Sequence, residues 1–253
     1  MSQPGPLLQV ENVTKLFGSL VAVDQVSFAV GAGDILGIAG PNGAGKTTLF
    51  NLISGIPFSA DKGRIVFDGV RIEAMAAHRI FRLGLARTFQ REASFSNLTV
   101  EQNVRLAASF GGAMSGRARS AAVEASLELF DLAAERTLRA AALSVYATKR
   151  LMLASAVVNR PKLLMLDEPA SGLNAAERGD IQRLILRLRD DGAAIILIEH
   201  VLPLLFGVSQ RVIVMDFGRK LVEGRPAEIA RNEQVISAYL GGQREAAIDA
   251  LPG

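Results

Sequence analysis

Short runs of apolar residues recur along the chain and predict buried β-strands. Three are nearly continuous, namely Ile35–Ala39, Leu163–Leu166 and Ala194–Ile198. Runs of this length bounded by turn residues or charges are typical of strands that are covered on both faces. Further strand-like segments are Leu7–Val13, Val21–Val30, Gly63–Asp68 before a turn at Asp68–Gly69, and a hairpin of Arg211–Met215 and Arg219–Val222 around Asp216–Gly218.

Other segments have apolar residues at helical spacing. Lys46–Ser54 is predicted to be a helix that ends near Gly55 and Pro57, because these residues interrupt helices. Ala175–Asp191 has isoleucine and leucine at intervals of three and four residues, with arginines on the solvated face. Val100–Val158 is alanine-rich and mainly helical, with one predicted break at a glycine-rich loop near Gly111–Gly116.

The alternation of buried strands and helices predicts an α/β fold. We expect a mostly parallel sheet with helices on both faces, an N-terminal antiparallel β subdomain and an inserted helical subdomain. Residues 1–241 are predicted to form a single domain. Its catalytic core with the β subdomain spans 1–92 and 160–241, its helical subdomain spans 93–159, and 242–253 is predicted to be a flexible tail.

Composition narrows the class of protein. The 253 residues are 49% hydrophobic and carry a net charge of only +3, which does not favour nucleic-acid binding. The absence of cysteine excludes disulfides, zinc–thiolate sites and a cysteine nucleophile. The polar, proline-rich start does not resemble a signal peptide, and no apolar run approaches the roughly 18 residues that cross a bilayer.

The strongest motif is a glycine-rich loop between a predicted strand and a predicted helix. It matches G-x-x-x-x-G-K-[ST], and its candidate nucleotide-binding residues are Gly40, Pro41, Asn42, Gly43, Ala44, Gly45, Lys46, Thr47 and the following Thr48. Glycines let successive backbone N–H groups converge on phosphate oxygens at a helix N-terminus. Lys46 can reach the β- and γ-phosphates, and the Thr47 hydroxyl can bind Mg²⁺. The loop predicts a P-loop NTPase that binds a nucleotide.

Two carboxylates follow a predicted strand. Leu163–Leu166 is followed by Asp167 and Glu168, and Pro169 ends the strand. Ligands of open α/β sheets bind at the carboxyl ends of strands, so Asp167 is a candidate Mg²⁺ ligand and Glu168 a candidate base for the attacking water. Taken alone, the pair is more often a solvated strand end, and the phosphate loop reverses that preference.

The order of these motifs resembles the nucleotide-binding subunits of ABC transporters over about residues 7–241. The resemblance implies an ATPase that uses ATP and Mg²⁺ and pairs head to tail with a second ATPase subunit, identical or different. It implies that Gln90 senses Mg²⁺ and the γ-phosphate, that His200 contacts the γ-phosphate and that Phe17 stacks on adenine. The alternatives are a surface glutamine, an ordinary loop histidine and a core phenylalanine.

The family signature falls at Leu143–Arg150 and departs from the usual pattern. The resemblance implies that Ser144 contacts the ATP held by the opposing subunit. Tyr146 stands where the family has a glycine that approaches the γ-phosphate, and a Cβ and ring there should hinder close backbone approach. The D-loop segment Ser171–Asn174 also departs, since Asn174 replaces the usual aspartate.

A narrower resemblance concerns the substrate. Ala86–Gln90, Phe95–Val104, Ile198–His200 and Val235–Gly241 are similar to the G-type ATPase of branched-chain amino-acid importers. This implies membrane-spanning permease subunits and a solute-binding protein as partners, no nucleic acid, and a peripheral position on the cytoplasmic face of the inner membrane. Alternatives are import of urea or another small solute, lipopolysaccharide export, a low-activity regulatory subunit, and a soluble ABC ATPase of translation or repair.

Overall fold

The computed structural model describes residues 5–89, 94–111 and 114–236. The strands are β1 (Leu8–Phe17), β2 (Leu20–Val30), β3 (Ile35–Ala39), β4 (Lys62–Phe67), β5 (Val70–Arg71), β6 (Leu85–Arg87), β7 (Leu163–Asp167), β8 (Ala194–Ile198), β9 (Arg211–Asp216) and β10 (Arg219–Gly224). The helices are α1 (Lys46–Ser54), α2 (Ala77–Leu83), α3 (Val100–Phe110), α4 (Gly116–Leu129), α5 (Val145–Val157), α6 (Ala175–Asp190), α7 (Leu202–Val208), α8 (Pro226–Ile229) and α9 (Glu233–Val235), with a 3₁₀ turn at Ala140–Ala142.

Six of the described strands form the central sheet, in the order β10-β9-β3-β8-β7-β6. β6, β7, β8, β3 and β9 run parallel, and β10 pairs antiparallel with β9 as the predicted hairpin. Because β3, β8 and β7 are adjacent and parallel, their carboxyl ends meet at one edge of the sheet. The segments that follow these three strands therefore lie side by side.

The antiparallel N-terminal sheet was also predicted and is confirmed. Its strand order is β2-β1-β4-β5, with β1 paired to both β2 and β4. The side chains of Val10, Val26 and Ile65 are buried beneath this sheet, in a hydrophobic cluster that also contains residues of α1. The β subdomain thus packs on the helix that follows the phosphate loop.

Alternation along the central strands divides the core between the two faces of the sheet. Leu36 and Ile38 belong to the cluster that includes α1 and α2. Ile35 and Ala39 belong to the cluster that includes residues of α3 to α7. Successive strand residues point to opposite faces, so helices cover both sides, as the apolar runs predicted. The helices α3 to α5 therefore share one hydrophobic core with the face of the sheet that carries Ile35 and Ala39.

The prediction of a single break in the helical region is wrong. In addition to the break near Gly111, the chain is non-helical between Phe130 and Ser144 except for the short 3₁₀ turn. The buried Arg150 side chain donates to the backbone carbonyls of Phe130 and Asp131, at 3.1 and 2.7 Å. Asp131 has a φ of +50°, which ends α4. A tertiary contact thus satisfies the carbonyl groups that this end leaves unpaired.

The pattern of apolar residues did not reveal α2, β6 or α7. β6 is only three residues long and pairs with β7, so it carries little periodicity of its own. By contrast, the predicted bounds of α1 agree with the structure. The domain bounds remain predictions, and the predicted tail at 242–253 lies outside the described residues.

Candidate functional site

The phosphate loop joins β3 to α1 in a conformation that requires glycine at both ends. Gly40 has a φ of +144°, and a Cβ there would lie 2.2 Å from the carbonyl oxygen of Met215. Gly45 caps α1 with a φ of +94°, and a Cβ there would lie 2.4 Å from the carbonyl oxygen of Ala22. Neither position accepts a side chain without a shift of backbone, which explains both glycines.

Lys46 is held over the loop. Its Nζ donates to the carbonyl oxygens of Gly40 and Pro41 at 2.6 and 2.9 Å. Burial lowers the pKa of Lys46, and the nearby charges of Glu168 and Asp167 oppose that change. Thr47 and Thr48 occupy the first turn of α1, where Thr47 is exposed. A cation, a hydroxyl and a helix N-terminus thus lie together, an arrangement that suits a polyphosphate.

Asp167 lies at the end of β7 and is almost completely buried. Its Oδ2 accepts a hydrogen bond from Nη2 of Arg87 at 3.0 Å, while its Oδ1 is buried and has no hydrogen-bond partner among the described residues. Burial raises the pKa of Asp167, and the Arg87 guanidinium opposes that rise. An oriented carboxylate oxygen without a protein donor fits a hard cation such as Mg²⁺, or one of its water ligands.

Magnesium sites in nucleotide enzymes rarely consist of protein carboxylates alone. Among the described residues, no group of three or more histidine, aspartate or glutamate side chains is arranged around a metal position. Mg²⁺ usually takes one or two protein ligands together with phosphate oxygens and water. Thr47 and Asp167 match that donor set. The third predicted ligand, Gln90, lies outside the described residues.

Glu168 and His200 come together at the edge formed by β7 and β8. The Nδ1 atom of His200 lies 3.7 Å from Oε2 of Glu168. Glu168 has a φ of +49°, an uncommon conformation for glutamate. Its side chain is largely buried, whereas that of His200 is 55% exposed. The two residues are 32 positions apart in the sequence, which did not predict their contact, and the structure places their side chains next to each other.

The signature segment begins α5. The Ser144 hydroxyl caps this helix by accepting the N–H of Ala147 at 3.2 Å. The Tyr146 hydroxyl donates to Oδ2 of Asp180 on α6 at 3.0 Å, and the guanidinium carbon of Arg150 lies 4.6 Å from the ring centroid. Burial and the hydrogen bond to the Asp180 carboxylate raise the pKa of Tyr146. The ring is therefore held against its own chain.

Asn174 serves as a helix cap. Its side chain accepts the N–H of Glu177 at 3.0 Å, and the Glu177 carboxylate accepts the N–H of Asn174 at 2.9 Å. Asparagine and aspartate cap helices about equally well, and losing such a cap typically costs about 1 kcal/mol. The departure from aspartate in this segment thus leaves the start of α6 intact.

Phe17 ends β1 with 42% of its surface exposed, which excludes the core alternative. Its ring meets Phe58 edge to face at 5.0 Å, and Nζ of Lys15 lies 5.5 Å from its centroid. A partly exposed aromatic ring with a cation beside it can stack on a base. Its contact with adenine remains a prediction.

Three polar residues near the site were not recognised as functional from the sequence. Arg87 pairs with Asp167 and also donates to Asn51 on α1 at 2.7 Å. The buried Lys149 donates to the backbone carbonyl oxygen of Glu168 at 3.2 Å. Glu199 is completely buried. Glu199 could have been found from the sequence, because it is an acid that directly follows the continuous apolar run Ala194–Ile198. Glu199 itself entered the interpretation only through the family resemblance.

Family models match two regions of the chain. Residues 23–171 match the ABC transporter family, and this region contains the phosphate loop, the signature segment and the acidic strand end. Residues 219–245 match the family described as branched-chain amino acid ATP-binding cassette transporter. In the described part of the chain, no helix is long and apolar enough to span a membrane.

Two bacterial transport proteins and one crystal structure match nearly the whole chain. The high-affinity branched-chain amino acid transport ATP-binding protein LivG of Salmonella typhimurium is 38% identical over 256 residues, which cover 95% of this chain and 99% of LivG. The corresponding protein BraF of Pseudomonas aeruginosa is 36% identical over 251 residues, covering 93% and 98%. A crystal structure of the ADP conformation of an ATP-binding cassette superposes with a TM-score of 0.83 at 29% identity, covering 94% of this chain and all of that one. The chain belongs to the ABC transporter family and is one of its nucleotide-binding transport ATPases.

Proposed function

We propose that this chain drives the import of branched-chain amino acids by hydrolysing ATP beneath membrane-spanning permease subunits. The observation that carries the substrate assignment is the agreement between two matches, one to whole proteins and one to a family model. LivG and BraF are similar over more than nine-tenths of the chain, and residues 219–245 match the narrower branched-chain family separately. The contacts around the phosphate loop support ATP hydrolysis, and the substrate assignment comes from the similarity alone.

In the proposed reaction, Lys46 and the N–H groups of the phosphate loop bind the β- and γ-phosphates. Thr47, Asp167 and Gln90 would hold Mg²⁺, which would neutralise negative charge on the β- and γ-phosphates. The buried Arg87–Asp167 pair, at 3.0 Å, would keep the second carboxylate oxygen directed at the site. Phe17 would stack on adenine.

Glu168 is proposed to act on the attacking water. Its carboxylate accepts a proton while the water oxygen bonds to the terminal phosphorus, and the bond to the leaving ADP oxygen breaks. His200 would contact the γ-phosphate, and the 3.7 Å separation from Glu168 supports a shared reacting group. Ser144 would contact the ATP of the opposing subunit, so that a complete site needs two chains.

The proposed partners are permease subunits, a second ATPase subunit and a solute-binding protein, with this chain on the cytoplasmic face of the membrane. A groove of about 440 Å³ between α2, β6, α3 and α5 is a candidate contact for a cytoplasmic helix of the permease. Phe110 lines it with 65% of its surface exposed, and Phe95 nearby is 60% exposed. Val100, at the start of α3, is fully buried in the core and is not available for this contact.

Cysteine cross-linking should locate the permease on this groove. The chain has no native cysteine, so Phe95→Cys or Phe110→Cys introduces a single thiol. We expect either variant to form a disulfide with a cysteine in a cytoplasmic loop of the permease within the assembled transporter. Phe217→Cys is a matched control, because Phe217 is 86% exposed in the β9–β10 turn, at the opposite edge of the sheet. Equal cross-linking at all three positions, or none in the groove, would contradict the proposed contact.

Transport measurements test the substrate. We expect proteoliposomes that contain the assembled transporter to accumulate labelled leucine, isoleucine or valine only when ATP and the solute-binding protein are supplied. A Glu168→Gln transporter should accumulate background amounts, since the coupling reaction is blocked. Stimulation of ATPase activity by urea or another solute, without uptake of any branched-chain amino acid, would reject this assignment and leave the ATPase proposal standing.

A further inference from the structure

Glu199 carries a buried carboxylate directly after β8. The residue has no solvent exposure. Its Oε1 accepts the backbone N–H of Ala170 at 2.8 Å, and its Oε2 accepts those of His200 and Val201 at 3.2 and 3.3 Å. Both carboxylate oxygens are therefore used, and they bind N–H groups from two separate loops.

A carboxylate without solvent is costly unless its environment compensates for lost hydration. Burial raises the pKa of Glu199, whereas the hydrogen bonds from Ala170 and Val201 and the nearby His200 oppose that rise. Three backbone N–H groups, at 2.8 to 3.3 Å, offset part of that cost. The arrangement thus favours a fixed geometry of the two loops around one side chain.

These two loops carry the proposed catalytic pair. Ala170 follows Glu168 by two residues, and the N–H of Glu168 itself bonds to the carbonyl of Ile198 at 2.9 Å. His200 is the residue after Glu199, and its side chain is 55% exposed. The backbone at His200 is held by the Glu199 carboxylate. The Glu199 carboxylate thus bonds to the backbone of both segments, the one after Glu168 and the one that carries His200.

We propose that Glu199 is a positioning residue for ATP hydrolysis, whose carboxylate joins the segment after Glu168 to the segment that presents His200 and so sets the distance between the two side chains. This inference rests on the proposed roles of Glu168 and His200. Lys149, in the second turn of α5, donates to the backbone carbonyl oxygen of Glu168 at 3.2 Å and supports the Glu168 side of the same arrangement.

The test is a double-mutant cycle with Glu199→Gln and His200→Ala, measured in the assembled transporter. Glutamine retains size but presents an amide N–H₂ to backbone donors, so one of the two loops loses its acceptor. We expect Glu199→Gln to lower kcat about tenfold with unchanged affinity for ATP, and to cause no further loss in the His200→Ala background. Such non-additivity is expected when one residue acts through another.

Asp34→Asn is the matched control, because Asp34 also accepts a backbone N–H, from Gly31 at 2.8 Å, at the opposite end of β3 from the phosphate loop. It should leave kcat unchanged. If Glu199→Gln lacks the wild-type affinity for ATP, Glu199→Asp replaces it in the cycle, since the shorter carboxylate cannot span both loops. The positioning role is rejected if the losses of Glu199→Gln and His200→Ala multiply in the double variant. It is also rejected if Glu199→Gln leaves kcat unchanged while His200→Ala lowers it. Either result leaves the proposed roles of Glu168 and His200 standing. A fully active His200→Ala removes the proposed role of His200, and this inference with it.

Discussion

Glu168→Gln should retain ATP binding and lose most ATP hydrolysis. Glutamine preserves the size of the side chain and accepts the uncommon backbone conformation about as well as glutamate, but it cannot accept a proton from water. General bases typically contribute about 10²- to 10⁴-fold, so we expect turnover to fall at least about 100-fold. The contact from Lys149 involves the backbone carbonyl of Glu168 and is preserved in the variant.

Turnover and nucleotide affinity should be measured separately for this variant, in the assembled transporter. Glu128→Gln makes the same chemical change on the exposed surface of α4 and should leave both quantities unaltered. Wild-type turnover in Glu168→Gln would show that another group activates the water. A loss of ATP affinity in the same proportion would instead assign Glu168 to nucleotide binding.

Tyr146 should make the two ATP sites of the transporter unequal. If the partner is a different ATPase with a normal signature, the site built on this chain's phosphate loop is complete. The opposite site borrows Ser144–Ala147 from this chain and should hydrolyse slowly. The reason is steric, because residue 146 occupies the first turn of α5, where close approach of the γ-phosphate to backbone N–H groups is expected. If the chain pairs with itself, both sites carry the defect.

Restoring the glycine-rich signature should raise the rate. We expect Val145→Gly, Tyr146→Gly and Ala147→Gln together to increase turnover of the impaired site about tenfold or more, comparable with regaining a donor to a transition-state oxygen. Two glycines in the first turn reduce helix stability by up to about 1 kcal/mol each, so thermal unfolding should be recorded beside activity. Tyr146→Phe is the control, since it removes only the hydroxyl bonded to Asp180 and should not raise the rate.

Site-resolved turnover measures the asymmetry directly. Glu168→Gln in this chain should abolish most activity, whereas the matching substitution in an unlike partner should cost little. Equal losses of turnover from the two substitutions would contradict the inequality of the two sites, provided that the sites do not hydrolyse ATP only in strict alternation.

The sequence alone was sufficient wherever the chemistry depends on neighbouring residues. The phosphate loop, the bounds of α1 and the acids at the end of β7 are contiguous patterns, in which short-range backbone preferences and apolar runs define the structure. The alternation of buried strands with helices likewise predicted the α/β class, because burial on both faces of a sheet produces continuous apolar runs. The resemblance to ABC transporters rested on these same local motifs, and the family comparison confirmed it.

Only the tertiary structure decided which distant residues meet. The order of strands places β8 beside β7, and this brings His200 to Glu168 and the Glu199 carboxylate to the N–H of Ala170. Arg87 reaches Asp167 across 80 residues of chain for the same reason, since β6 pairs with β7. Sequence periodicity reports which face of an element is buried but not which element covers it. Contacts between separate elements depend on sheet order and packing, and a single sequence does not reveal either.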